Sequence, residues 1–214
     1  MRTSRRVFLS SAAAAGATGV AGCLGGGSDD GPSEYDCDTA EPEPVAELPQ
    51  PVAGDPDADV VVAAFEDFGC PHCATWVLEE YPTIESEYVD PGEIRFEHWD
   101  FPIPVTDWST PVANAGRGVQ ERAGDEAFFA FAKRAYELQD EHSLDAVGTA
   151  AEAADADPCA AIADAEHEPY EAVISGNRSE GEERGVGGTP TVFVNGESVE
   201  PTADAVSEAI ENAL

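Results

Sequence analysis

The sequence predicts an α/β fold in which a helical insertion separates a βαβ half from a ββα half. Three observations predict it. Asp59-Val60-Val61-Val62-Ala63-Ala64-Phe65 is a continuous apolar run without helical spacing, as in a strand buried on both faces. Glu93-Ile94-Arg95-Phe96-Glu97-His98-Trp99 alternates with period two, and Phe101-Pro102 ends it. Near the C-terminus, Pro190-Thr191-Val192-Phe193-Val194 runs into Asn195-Gly196, the strongest short hairpin signal, because both central residues of a type I′ turn need φ > 0.

Residues 1–22 read as an export signal. They hold three bases and no acid, with Arg5-Arg6 ahead of a mild apolar run from Val7 to Ala21. That run is short and weakly hydrophobic for a membrane span, and a basic pair before it fits twin-arginine export. Val20-Ala21-Gly22-Cys23 places small residues before a cysteine, like the cleavage site that leaves a lipidated N-terminal cysteine. An uncleaved anchor and a bystander Cys23 are the alternatives. Residues 23–56 carry Gly25-Gly26-Gly27-Ser28 and Glu41-Pro42-Glu43-Pro44 without hydrophobic periodicity, and are expected to form a flexible acidic tether.

The folded domain is expected over 57–214. After its first strand, Pro71 occupies a helix N1 position, where a missing N–H is harmless. Trp76, Val77, Tyr81, Ile84 and Tyr88 continue a helical pattern with a kink expected near Pro82. The second strand completes a βαβ unit. Residues from about 107 to 185 form the helical insertion. Val112, Ala115 and Val119 make one stripe, and Phe128, Phe131, Ala132 and Ala135, flanked by Phe129 and Tyr136, make another that reads as core. Gly176 and Gly181 obscure the last helix of this region. A return strand at Ser198-Val199 and a helix from Pro201-Thr202, with Val206, Ala209, Ile210 and Ala213 on its apolar face, close the chain.

Charge narrows the function. The 214 residues hold 44 acids against 10 bases, a formal net charge of −34, with Lys133 the one lysine. Phosphate binding needs a basic face, so nucleic acid is excluded as a natural partner, and so is adhesion to anionic lipid by charge. Cleavage before Cys23 would leave 44 acids against 7 bases. Such a chain repels itself in dilute buffer, whereas at 1 M salt the Debye length falls to about 3 Å. The composition resembles that of proteins from extreme halophiles.

Chemistry concentrates in Cys70-Pro71-His72-Cys73. A cysteine that opens a helix meets free N–H groups and the positive end of the helix dipole, which favour its thiolate. Cysteines so placed have pKa values of roughly 3.5–7.5. Cys70 is therefore the attacking and leaving sulfur, and Cys73, one turn deeper and more shielded, is the resolving one. His72 either adds positive field when protonated or is an exposed spacer. A CxxC is also half of a zinc site, but no second half follows. It can also be a plain structural staple.

The wider pattern resembles the DsbA-like branch of the thioredoxin-fold thiol-disulfide oxidoreductases. The resemblance is carried by Phe65-Glu66-Asp67-Phe68-Gly69 before the CPHC motif, by Asp100-Phe101-Pro102, and by Gly187-Gly188-Thr189-Pro190 leading into the late strand. It spans about residues 57–214, and in the middle helices it is a match of pattern only. It implies a thioredoxin core interrupted by the insertion, with Cys70 as nucleophile and Cys73 as resolving thiol. It implies a cis Pro190 facing the active disulfide, with Thr189 offering backbone to a substrate peptide. Relatives often carry a buried acid six positions before the first active-site cysteine. Here that position is Ala64. Glu66 shares its face and is either a substitute proton relay or a solvated strand-end residue. His98, His142 and His167 have no ligand spacing and read as surface or packing residues.

These readings converge on a membrane-tethered, extracytoplasmic enzyme that exchanges disulfides with the thiols of exported proteins and is recycled by a separate redox partner. It would need no cofactor or metal. It would act as a monomer, since no segment could build a dimeric isomerase clamp. Two alternatives are a soft-metal (copper) handling module using Cys70 and Cys73, and a lipoprotein binding module with a structural CxxC. If Cys23 is lipidated and Cys70 pairs with Cys73, Cys37 and Cys159 remain for a structural disulfide in an oxidising compartment. Otherwise they are free thiols, or Cys159 is simply buried. The charge makes a first prediction: circular dichroism should record the folded state gained as KCl rises towards molar concentration. Equal stability in dilute buffer would overturn the halophile reading.

Overall fold

A computed structural model describes residues 34–37, 40–103 and 105–214. The export signal and Cys23 lie outside the described residues. Five strands form one sheet in the order β1-β3-β2-β4-β5: β1 (Val52–Gly54), β2 (Val61–Glu66), β3 (Arg95–Asp100), β4 (Thr191–Val194) and β5 (Glu197–Val199). β2 lies at the centre, parallel to β3 and antiparallel to β4. Its apolar run is buried from Val62 onward, as a strand covered on both faces requires. Val194 and Glu197 pair across the turn, and both Asn195 and Gly196 have positive φ, at 46° and 85°.

Between β2 and β3, α1 (Pro71–Thr75) and α2 (Tyr81–Ile84) are continued by two wider turns, Trp76–Glu80 and Glu85–Val89. Pro82 has no N–H to donate. The chain accommodates it by widening the turn before it, so that the Tyr81 N–H reaches back five residues to the Trp76 carbonyl. These helices pack with α8 (Ala203–Ala213) on the face of the sheet that presents Val62 and Ala64, and Trp76, Ile84, Val206 and Ile210 fill the interface.

The insertion between β3 and β4 contains α3 (Ser109–Ala123), α4 (Asp125–Glu137), α5 (Leu144–Ala153), α6 (Pro158–His167) and α7 (Glu171–Glu183). Ser143 caps α5. Asp157 caps α6, which has Pro158 in its first turn. The two stripes read from the sequence meet in one core, where Val112, Ala115 and Val119 join Phe128, Phe131 and Ala135. α7 runs unbroken through Gly176 and Gly181. A Cβ at Gly181 would stand 2.7 Å from the Phe101 ring and 2.9 Å from Phe65. The absent side chain is what lets α7 lie against the sheet.

The expected tether boundary at residue 56 needs correction. Residues 45–54 belong to the folded domain. The Val45 N–H donates to the Pro169 carbonyl at 2.8 Å, Leu48 packs on the helical core, and β1 adds to the edge of β3 with Val52 opposite Glu97. A three-residue strand among prolines and acids leaves no periodicity to read. Its stability comes from β3, whose edge it covers. Upstream, Cys37 and Cys159 form a disulfide 122 residues apart in sequence, which ties this segment to α6. A ring of that size is worth about 4–5 kcal/mol on chain-entropy grounds. The double variant Cys37→Ser/Cys159→Ser should lose up to that amount in chemical denaturation at molar salt, through a lower midpoint. An unchanged midpoint would mean that the staple holds nothing the rest of the fold does not.

Candidate active site

β2 leaves the sheet at Glu66, and the next three residues, Asp67-Phe68-Gly69, aim Cys70. The Asp67 carboxylate accepts from the Gly69 N–H at 2.7 Å and, with its other oxygen, from the Ile103 N–H at 2.8 Å. It thus clamps the loop before the cysteines to the segment that follows β3. The Cys70 N–H closes the turn onto the Asp67 carbonyl at 2.9 Å. A Cβ on Gly69 would lie 2.5 Å from Ser109 Oγ and 2.6 Å from Thr106 Oγ1, so this approach requires glycine. From the short turn Gln139–Glu141 that follows α4, the Gln139 amide donates to the carbonyls of Phe68 and Cys70 at 2.7 and 3.0 Å.

Cys70 is the N-cap of α1, with extended backbone (φ −88°, ψ 118°), and Pro71 follows at the first helical position. Its Sγ lies 3.3 Å from the Thr189 carbonyl oxygen, and the Thr189–Pro190 peptide is cis. Covered by that loop, Cys70 is 4% exposed, against 0% for Cys73. Both are free thiols in this structure. Their environments push them apart. The Cys70 thiol is lowered from 9.0 to about 5, chiefly by the hydrogen bond from Cys73. Burial opposes that shift, while the Thr189 side chain and the backbone N–H groups of Cys73 and His72 add to it. Cys73 is raised far above the ordinary thiol range, first by burial, then by its bond to Cys70 and by the nearby Glu66 carboxylate. The His72 side chain is exposed.

Behind Cys73 lies a group of buried polar residues that sequence reasoning largely missed. Glu66 is 3% exposed, which corrects the solvated strand-end alternative. It accepts from the Tyr136 hydroxyl at 3.1 Å. Burial pushes its carboxyl above the usual range, against His98, Tyr136 and Trp76, which favour its charge. His98 is buried between the rings of Phe68 and Phe128. Its Nδ1 lies 3.8 Å from Glu66 Oε2 and its Nε2 lies 3.2 Å from Asp100 Oδ1. The Arg117 Nε donates to the other Asp100 oxygen at 2.5 Å. A signal for this was present: period two puts His98 and Asp100 on the same face as Ile94 and Phe96. His142, near the end of α4, bonds the Ala135 carbonyl, and the exposed His167 ends α6.

The thioredoxin family profile matches residues 47–212. The chain belongs to the thioredoxin family. Among the similar proteins, the probable disulfide bond formation protein D of Bacillus cereus is 28% identical over 170 residues, 75% of this chain and 77% of the relative. Oxidised BdbD from Bacillus subtilis superposes with a TM-score of 0.71 at 23% identity, covering 80% of this chain and 98% of that one. DsbA from Chlamydia trachomatis gives 0.69 at 22% identity, over 81% and 95% of the two chains. At such identities these two structures speak for the fold: a thioredoxin-family core with its helical insertion between β3 and β4. The curated relative gives the soft-metal reading of Cys70 and Cys73 no support.

Within this thioredoxin-family site, the two thiols are predicted to titrate far apart. Because the Cys70 value is depressed, its thiolate persists at neutral pH and is lost as pH falls through about 5, whereas an ordinary thiol is already protonated below 9.0. Iodoacetamide alkylation and ultraviolet thiolate absorbance of the reduced protein should both follow one midpoint near 5. Cys73 should stay unalkylated throughout.

Proposed function

We propose that this chain is an extracytoplasmic protein thiol–disulfide oxidoreductase that works as an oxidant on exported proteins, held at the membrane surface by a lipidated Cys23. The observation that carries the reading is the asymmetry of the two sulfurs. Cys70 sits at a helix N-terminus against the Thr189 carbonyl, and Cys73 is sealed behind it. The relatives named disulfide bond formation protein D support thiol–disulfide exchange as the activity. Arg5-Arg6 and the residues around Cys23 support export and anchoring. Among the described residues, no helix is long and apolar enough to cross a membrane.

In the oxidised enzyme, a substrate thiolate attacks Cys70 Sγ and the Cys70–Cys73 bond breaks. Cys73 leaves as a thiolate and takes a proton from the Glu66 carboxyl. A second substrate thiolate then attacks the substrate sulfur of the mixed disulfide and releases Cys70, whose low pKa makes it a good leaving group. The substrate loses two electrons to the enzyme, and a recycling partner that carries a disulfide restores it. The Thr189 carbonyl would take a backbone N–H of the substrate peptide once Cys70 no longer uses it.

The direction follows from the reduced state. A thiolate stabilised in the reduced protein makes the disulfide more oxidising, so the Cys70–Cys73 couple should lie nearer about −120 mV than the −270 mV of a reductant. Equilibration with glutathione checks this. On the same protein, Cys73→Ser should accumulate mixed disulfides through Cys70 when offered disulfide substrates, and Cys70→Ser should not trap through Cys73. Non-reducing electrophoresis after acid quenching, with mass spectrometry of the linked peptide, reads the outcome. Adducts on Cys73, or none on either variant with wild type redox-inert, would sink the assignment.

A further inference from the structure

We propose that His98 is a positioning residue that works through Glu66 to move the Cys73 proton, and that this proton exchanges with water through the cavity beside β1 rather than past Cys70. The inference rests on the thiol–disulfide reading above and adds a proton route to it.

Geometry carries the argument. The parallel register pairs Ala64 with His98 and Glu66 with Asp100, so Glu66, His98 and Asp100 share one face of the sheet. The imidazole stands between two carboxylates, with Nδ1 3.8 Å from Glu66 and Nε2 3.2 Å from Asp100. Asp100 cannot give a proton. Although burial raises its carboxyl, the charge of Arg117 and the contacts of His98 hold it below the usual range. An ionised carboxylate only accepts, so Nε2 carries the ring proton and Nδ1 of the neutral ring is left as an acceptor towards Glu66. Tyr136 already donates its hydroxyl hydrogen to Glu66 and offers no base. Glu66 therefore has one neighbour to which its proton can pass, across a gap that one water or a small rotation closes.

A cavity of about 700 Å³ connects this pair to solvent. Glu66, His98, Tyr81 and Phe96 are among the residues lining it, and Val52 to Asp55 form one side. The Tyr81 hydroxyl is buried and has no hydrogen-bond partner among the described residues, a third polar group for water to meet. The charged and titratable groups facing the route are Glu66 on β2, Asp100 on β3, Arg117 on α3, Tyr136, Glu126 and Lys133 on α4, Tyr81 on α2, and Glu85, Asp55 and Asp90 along the cavity. When the disulfide is reduced, the departing Cys73 thiolate takes the proton of Glu66, and cavity water returns one by way of His98 Nδ1, which takes it up and hands it on to Glu66. When Cys73 later attacks a mixed disulfide on Cys70, its proton passes to the Glu66 carboxylate and outward by the same path. No electrons pass through His98.

The test isolates the Cys73 step. Reduced wild type and His98→Gln, in molar KCl, are mixed rapidly with Ellman's reagent so that thionitrobenzoate forms a mixed disulfide with Cys70. Its release by Cys73 is then followed across pH. The variant should release it about tenfold more slowly or worse at neutral pH, with a rate that climbs in step with hydroxide, while the Cys70 thiolate still titrates as in wild type. A wild-type rate and profile would overturn the inference, as would a Cys70 titration that shifts along with them, since that is the mark of a merely structural change. Failure to form the Cys70 adduct in wild type would instead refute the functional reading. Nitrogen NMR of the wild-type histidines covers a variant that does not fold. His98 should show Nε2 protonated and Nδ1 bare as an acceptor towards Glu66, and a ring that carries its proton on Nδ1 instead would overturn the proposal.

Discussion

A guanidinium with no exposure to water must find acceptors for its N–H groups inside the protein, and Arg117 finds them on its own helix and in three other pieces of chain. Its Nε meets Asp100 at the end of β3, one terminal nitrogen meets the Pro49 carbonyl and Gln120, and the other meets Asn177 on α7. One side chain on α3 thereby ties the N-terminal segment, the sheet and the last helix of the insertion together. Removing one partner from a buried pair of this kind costs about 3–5 kcal/mol, because the other charge is left unpaired. The same contact holds Asp100 ionised beneath the site. The insertion therefore does more than cover the sheet: it supplies the cation that sets the charge state behind the cysteines.

The two cysteines then differ for reasons that are all positional. Cys70 has the N–H groups of a helix start and the Cys73 thiol as donors, with Thr189 alongside. Cys73 has the core of α3, α4 and Phe68 around it, with Glu66 behind. Neither environment requires an unusual residue at the CxxC itself. Each is made where elements meet: the β2–α1 loop, the β4 approach and the stripe on α4.

The rest of the charge is handled outside the core. Each of the six described arginines lies on a carboxylate, and most of these pairs are surface contacts such as Arg134–Glu137 and Arg178–Glu182. Exposed pairs contribute little individually. Arg178 and Arg184 gain more by lying over the rings of Phe101 and Trp99, at 5.2 and 4.7 Å, where they roof the aromatic cluster under α7. With so few cations, the excess of acids is left to solvent and counterions.

Local pattern determined much of this protein. The apolar run of β2, the alternation of β3, the Asn195-Gly196 hairpin, the two stripes of α3 and α4, and the placement of Cys70-Pro71-His72-Cys73 at a strand-to-helix junction were all legible, because burial period and turn stereochemistry are encoded within a few residues of each other. Tertiary structure alone decided which polar groups are buried together. In the sequence Glu66 reads as either a substitute relay or a solvated strand-end acid, His98 as a surface or packing histidine and Arg117 as one of a few bases. They become a single network only when the parallel register sets Ala64 beside His98 and α3 crosses the end of β3. β1 was invisible for the same reason, since three residues gain their ladder from a strand more than forty positions away. Hydrogen bonds and ion pairs between distant segments leave no periodicity in the chain, so the chemistry beneath the cysteines is a property of the fold.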